Sequence, residues 1–163
     1  MREGAWSFVR RALREIRVAL YDLVVPSTCA GCGQLAAGCC EACAGRLEPL
    51  PPDGCARCGE PLAASRCTAD HAALRGIALR RAAWRYRGTG GAIVRRFKFQ
   101  GDAAARQAMV RAMAERARGI VRGAGRRARF VHVPVHPRKL RRRGFDQAAR
   151  LADGIARRLG RPF

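Results

Sequence analysis

The stretch from Ser27 to His71, STCAGCGQLAAGCCEACAGRLEPLPPDGCARCGEPLAASRCTADH, holds all eight cysteines of the chain. Six of them form three pairs with two-residue gaps: Cys29 and Cys32, Cys40 and Cys43, Cys55 and Cys58. Cys67 follows alone, with Asp70 and His71 just behind it. A two-residue gap lets both thiolates of a pair reach one metal from a tight turn, whose N–H groups stabilise the sulfur charge. Gly33 and Gly59, each just after a pair, permit the backbone conformation that such a knuckle requires. The stretch is rich in Gly and Pro and poor in long apolar runs, so it cannot bury a core of its own and needs a staple.

Structural zinc is the reading that fits these cysteines best. Disulfides would need an oxidising compartment, and nothing in the chain targets it to one. A redox-active pair would follow a strand in a thioredoxin-like unit. The spacing is also unlike the common ferredoxin patterns. Taken in order, Cys29, Cys32, Cys40 and Cys43 complete one site. Cys55, Cys58 and Cys67 begin a second, whose fourth ligand is His71 or Asp70. His71 is preferred, because neutral imidazole is the commoner partner of thiolates on zinc. The alternative is that the second site has decayed and holds no metal. Cys39 is a spare beside Cys40.

Outward from this module the chain divides into three parts: 1–25, 26–71 and 72–163. Trp6, Val9, Leu13, Ile16, Leu20 and Leu23 recur every three or four residues and predict an amphipathic helix that ends at Pro26. Its basic face also suits an anionic membrane surface. The full length of 163 residues allows one domain, or one domain plus a small module. A mean hydropathy of −0.20 with 48% hydrophobic residues excludes generic disorder. No apolar run approaches the ~20 residues of a membrane helix, and residues 1–25 lack the features of a secretory signal. The expected compartment is the cytoplasm.

Charge is unevenly spread. Residues 72–163 hold 25 basic and four acidic side chains, a net of +21, whereas 26–71 holds three basic and five acidic. The basic part should attract polyanions. Nearly every basic residue is Arg, however, with Lys98 and Lys139 as the two lysines. A GC-rich genome could supply such a surplus without any nucleic-acid partner.

Within 72–163, Ile77 to Tyr86 and Phe130 to Val135 read as strands. Helices are expected from about Ala92, from Asp102 to about Arg122, and from Asp146 to about Leu159. This order predicts an α/β domain with a parallel sheet. The loop after the second strand carries five basic residues from Arg138 to Arg143, then Gly144, then the helix opened by Asp146. Ligands bind outside the carboxyl ends of such strands, and Arg and Lys there suit phosphate oxygens. His132 and His136 are read as structural or exposed rather than as general bases. Trp84, Tyr86, Phe97 and Phe99 could stack on bases, but core packing is the preferred role.

The segments DLVVPSTCAGCG, CEAC and CARCGEPL resemble the double zinc ribbon of the ComF family of phosphoribosyltransferase-like proteins. WRYRGTGGAIVRRFKFQGD and VPVHPRKLRRRGFDQAARLADGIARRLG are similar to the rest of that family's pattern, with Asp146 where Asn is usual. The resemblance spans nearly all of residues 20–163. It implies a type I phosphoribosyltransferase-like fold behind the zinc ribbon and a role in DNA uptake during natural competence. It also implies a pyrophosphate-binding loop at Arg138, Lys139, Arg143, Gly144 and Gln147, with Lys98 matching the family's KF-GD lysine. The implied ligands are phosphoribosyl pyrophosphate or pyrophosphate, with Mg²⁺ only if the full catalytic domain is present. Single-stranded DNA and the competence machinery are the implied partners.

The family pattern continues with a strand ending in two acids and a Thr-rich loop, whereas this sequence stops at Gly160-Arg161-Pro162-Phe163. The expectation is therefore a truncated, incomplete catalytic domain that does not turn over the donor alone. The competing expectation is a zinc-ribbon nucleic-acid-binding module without enzyme activity.

Overall fold

The computed structural model describes residues 27–125 and 128–163. The amphipathic helix expected over 1–25 lies outside the described residues. After the cysteine-rich start, a five-residue helix α1 covers Glu41–Gly45, and a 3₁₀ turn covers Ala72–Leu74. Four helices follow: α2 (Gly88–Gln100), α3 (Ala103–Gly123), α4 (Pro137–Arg143) and α5 (Gln147–Leu159).

Helix α2 starts at Gly88, four residues before the expected Ala92 and with no side-chain cap at Arg87, whereas α3 and α5 start at capping aspartates as expected. Asp102 accepts from the Ala105 N–H at 2.7 Å and opens α3. Asp146 accepts from the N–H groups of Ala148 (2.9 Å) and Ala149 (3.0 Å) and opens α5. These contacts satisfy donors that every helix start leaves free. Helix α4, expected as a loop, has Pro137 in its first turn and ends on Gly144 in the left-handed region. That proline-then-glycine order was the overlooked sign of a short helix.

The expected parallel sheet is corrected by the structure: no β-strand occurs among the described residues. The segment before α2 is extended, but its neighbour is the cysteine-rich module. Trp84 bridges Pro49, the Leu50 N–H donates to the Ala83 carbonyl at 3.3 Å, and the Arg85 N–H donates to the Glu48 carbonyl at 2.9 Å. Along Phe130–Val135, Phe130 donates to the Pro162 carbonyl, while Val131 and Val133 are each 84% exposed. Strands pair only at about 4.8 Å. Here both segments line an open cleft of about 660 Å³, floored by α2, α3 and α5, instead of pairing across it.

Helix α3 packs on α2 and α5. Ala30 is fully buried in one cluster with Ile93, Phe97, Ala105 and Met109, so the cysteine-rich module and the helices share a core. An ion pair between Arg96 and Asp102 reinforces this joint, and Arg96 also donates to Thr28 Oγ1 at 3.4 Å.

Burial works against the Asp102 carboxylate. The Ala105 N–H and the Arg96 guanidinium outweigh it and hold the pKa below the ordinary value. A lowered folded pKa contributes stability above the unfolded value of about 3.9 and loses it as pH falls through the folded value. Asp102→Asn should therefore remove part of the acid-side fall in stability. Urea midpoints measured from about pH 6 to pH 3 check this, and parallel curves for the two proteins would count against it.

Candidate metal centres and a basic cluster

The first centre is built on one buried sulfur. Cys29 Sγ accepts from the backbone N–H groups of Gly31 (3.3 Å) and Cys40 (3.2 Å). Burial disfavours its thiolate, but the N–H groups of Cys40, Cys32 and Gly31 outweigh this and lower its pKa from 9.0 to about 5. Two glycines permit the close approach. Gly33 has φ +80°, and a Cβ there would run into the Arg96 guanidinium. A Cβ on Gly31 would lie 2.8 Å from Cys43 Sγ and 2.9 Å from Thr89 Cγ2.

The ligand atoms of Cys29, Cys32, Cys40 and Cys43 all lie within 4.8 Å of one another. Cys32 Sγ and Cys40 Sγ are 3.8 Å apart. A tetrahedron with Zn–S near 2.3 Å has an edge of about 3.8 Å, so this spacing fits zinc. Burial pushes the Cys43 thiol up to about 12, aided by hydrogen bonds to Cys40, Cys29 and Cys32. Closely placed sulfurs cannot all ionise without a cation, and a dication meets that need. Cys39 lies outside both ligand groups, and burial raises its pKa to about 11.

The second centre gathers Cys55, Cys58, Cys67 and His71, again within 4.8 Å. Cys58 Sγ and Cys67 Sγ are 3.6 Å apart. His71 Nε2 lies 3.4 Å from Cys67 Sγ and 3.7 Å from Cys55 Sγ. A Cys₃His zinc tetrahedron has S···N edges of about 3.6 Å, so the donor set fits here too. Backbone N–H groups of Cys58 and Arg57 lower the Cys55 pKa to about 6. Asp70 is otherwise engaged: its Oδ1 accepts from the Ala72 N–H at 2.8 Å and opens the 3₁₀ turn. The ligand choice that spacing left open therefore falls to His71.

His71→Ala should lower the zinc content from two per chain toward one and leave the first site intact. Metal analysis of purified protein reads this directly. Loss of one zinc in Asp70→Ala but not in His71→Ala would reverse the assignment.

A basic cluster lies away from the cysteines. Gly101 ends α2, and Phe97 near that end packs on Phe145 at 5.5 Å between ring centroids. Next to this contact, the Arg143 guanidinium lies 5.3 Å and Lys98 Nζ 5.8 Å from the centre of the Phe99 ring. Arg143 also donates to Gln147 Oε1, while its buried Nε has no partner. Among the described residues neither Lys98 nor Arg143 pairs with a carboxylate. Arg138 and Lys139 are exposed on α4, and Gly144 is exposed at its end. Among the described residues, no side-chain hydrogen bond joins Arg138, Lys139 or Gly144 to the Arg143–Gln147 pair. Of the four aromatics, Phe97 is buried and Trp84 half-buried, whereas Tyr86 and Phe99 are 65% and 60% exposed.

His132 Nε2 lies 3.6 Å from Asp146 Oδ2, and His136 Nδ1 accepts from the Arg138 N–H at 3.2 Å. Both histidines thus have structural partners. No helix among the described residues is long and apolar enough to cross a membrane.

Residues 20–72 match the family described as Double zinc ribbon domain. This segment contains both ligand groups and defines a zinc-binding module. No curated protein matches the chain, and no solved structure does.

Proposed function

We propose that this zinc-ribbon protein holds a phosphate-rich ligand where its KF-GD and RGFDQ segments meet. In line with the resemblance to the ComF family, that ligand is pyrophosphate or the pyrophosphate end of phosphoribosyl pyrophosphate, in the service of DNA uptake. One observation carries the reading. Lys98 and Arg143, 45 positions apart in sequence, converge on the exposed Phe99 ring with no carboxylate among the described residues to neutralise them. Unpaired cations held together on a packed surface favour a multiply charged anion, and guanidinium geometry suits phosphate oxygens. Gln147 steadies the Arg143 side chain from the first turn of α5.

Titrating the zinc-loaded chain with pyrophosphate by calorimetry tests this. Arg143→Ala should weaken binding by about tenfold or more, since a hydrogen bond to a charged group contributes about 1.5–3 kcal/mol. Equal affinity in the two proteins would remove the site.

A second reading, nucleic-acid binding without catalysis, is favoured by the exposure of Tyr86 between Arg85 and Arg87. Single-stranded DNA affinity should then fall steeply with salt. Neutralising Arg141, Arg142 and Arg143 should flatten the log–log slope by about 0.7 per lost contact. An unchanged slope would mean that these arginines only solvate the surface.

A further inference from the structure

An apolar cleft of about 660 Å³ lies apart from both zinc centres and from the basic cluster. Its floor is apolar, with Val94 on α2, Met109, Met113 and Ile120 on α3, and Leu151 and Ile155 on α5. Extended backbone at Leu79–Ala83 and Phe130–Val133 forms further lining. Among the described residues, the backbone N–H groups of Val131, His132 and Val133 have no hydrogen-bond partner. Arg81 and Arg116 also line the cleft. Arg81 donates to the Ala56 carbonyl at 2.7 Å and Arg116 to the Pro51 carbonyl at 3.3 Å, and neither meets a carboxylate among the described residues.

We infer that this cleft is a docking site for an acidic, extended segment of another protein, apolar at alternate residues, which adds as a strand beside Val131–Val133. Three features select that occupant. Free backbone groups along an extended edge pair with another extended chain, and such added strands gain affinity from main-chain hydrogen bonds. A strand presents alternate side chains to one face, so apolar residues at every second position would cover the floor formed by the three helices. The charge at the cleft is positive, within a region of net +21, so acidic residues flanking the apolar positions complement it. The same charge disfavours a second copy, which would bring like charge against like.

The test uses the zinc-loaded full chain and three labelled synthetic peptides. One alternates Val and Thr between Glu-rich ends, the second has the same centre between Lys-rich ends, and the third carries Pro in the centre of the acidic peptide. The acidic peptide should bind, as read by fluorescence anisotropy, and should slow hydrogen exchange at alternate amides within residues 131–133, because one added strand pairs with every second residue of an edge. Lys-rich ends should weaken binding by about tenfold or more, and central Pro should abolish the amide protection. Met113→Lys in α3 and Val133→Asp on the exposed edge should each weaken binding by about tenfold with zinc content unchanged.

Equal binding of acidic and basic peptides would overturn the proposal. So would protection that maps away from 131–133, or affinity untouched by both substitutions. Concentration-dependent dimers that protect 131–133 without peptide would assign the cleft to a second copy instead. A chain lacking residues 1–25 that binds the peptide where the full chain does not would assign it to that segment.

Discussion

Cys29→Ser or Cys43→Ser protein is expected to lose the zinc of the first site and to exchange backbone amides rapidly throughout residues 27–71. The effect should be large. Structural zinc contributes on the order of 10 kcal/mol in small modules, comparable to the whole stability of a typical domain. This module has little to fall back on. Outside the Cys55–Cys58–Leu74 cluster, its buried side chains are chiefly the ligands themselves, Ala30 and Leu50. The loss should also spread into the helices, because Ala30 shares a core with Ile93 and Phe97, and Thr28 meets Arg96. Zinc per chain by metal analysis, together with hydrogen exchange, reads both effects. A serine variant that keeps two zinc ions and unchanged protection in 27–71 would refute the assignment of these ligands.

Phe97→Ala should be the most damaging substitution in the helical part. The side chain is 1% exposed and among the largest that are fully buried. It packs in one cluster with Ala30, Ile93, Ala105 and Met109, and against the Phe145 ring. Truncating a buried Phe typically costs about 3–5 kcal/mol, from lost transfer energy and the cavity left behind. Denaturant unfolding of the zinc-loaded protein measures it. Phe99→Ala serves as the control, because that ring is 60% exposed and should cost far less stability. If Phe97→Ala and Phe99→Ala shift the midpoint equally, the core is not where the packing places it. Phe97 also links α2 to the turn that carries Arg143, so the same variant should weaken pyrophosphate binding, whereas zinc content should hold.

The ligand sets were legible in the sequence because their geometry is local. Two residues between cysteines make one knuckle, and three such pairs followed by Cys67 and His71 hold all eight donors of two tetrahedra. Helix limits were legible for the same reason: Asp102 and Asp146 cap neighbouring N–H groups, and Gly101 and Gly160 close the helices that precede them. Tertiary structure decided what depends on distant partners. An extended segment becomes a strand only when another lies beside it, so apolar runs at 77–86 and 130–135 suggested a sheet that the fold does not build. It also separated His71 from Asp70, by engaging the carboxylate with the Ala72 N–H. Lys98 and Arg143 met on Phe99 only because α2 and the α4–α5 turn pack through Phe97 and Phe145. Residue spacing encodes contacts a few positions apart, whereas the meeting of segments tens of residues apart is set by which apolar faces bury one another.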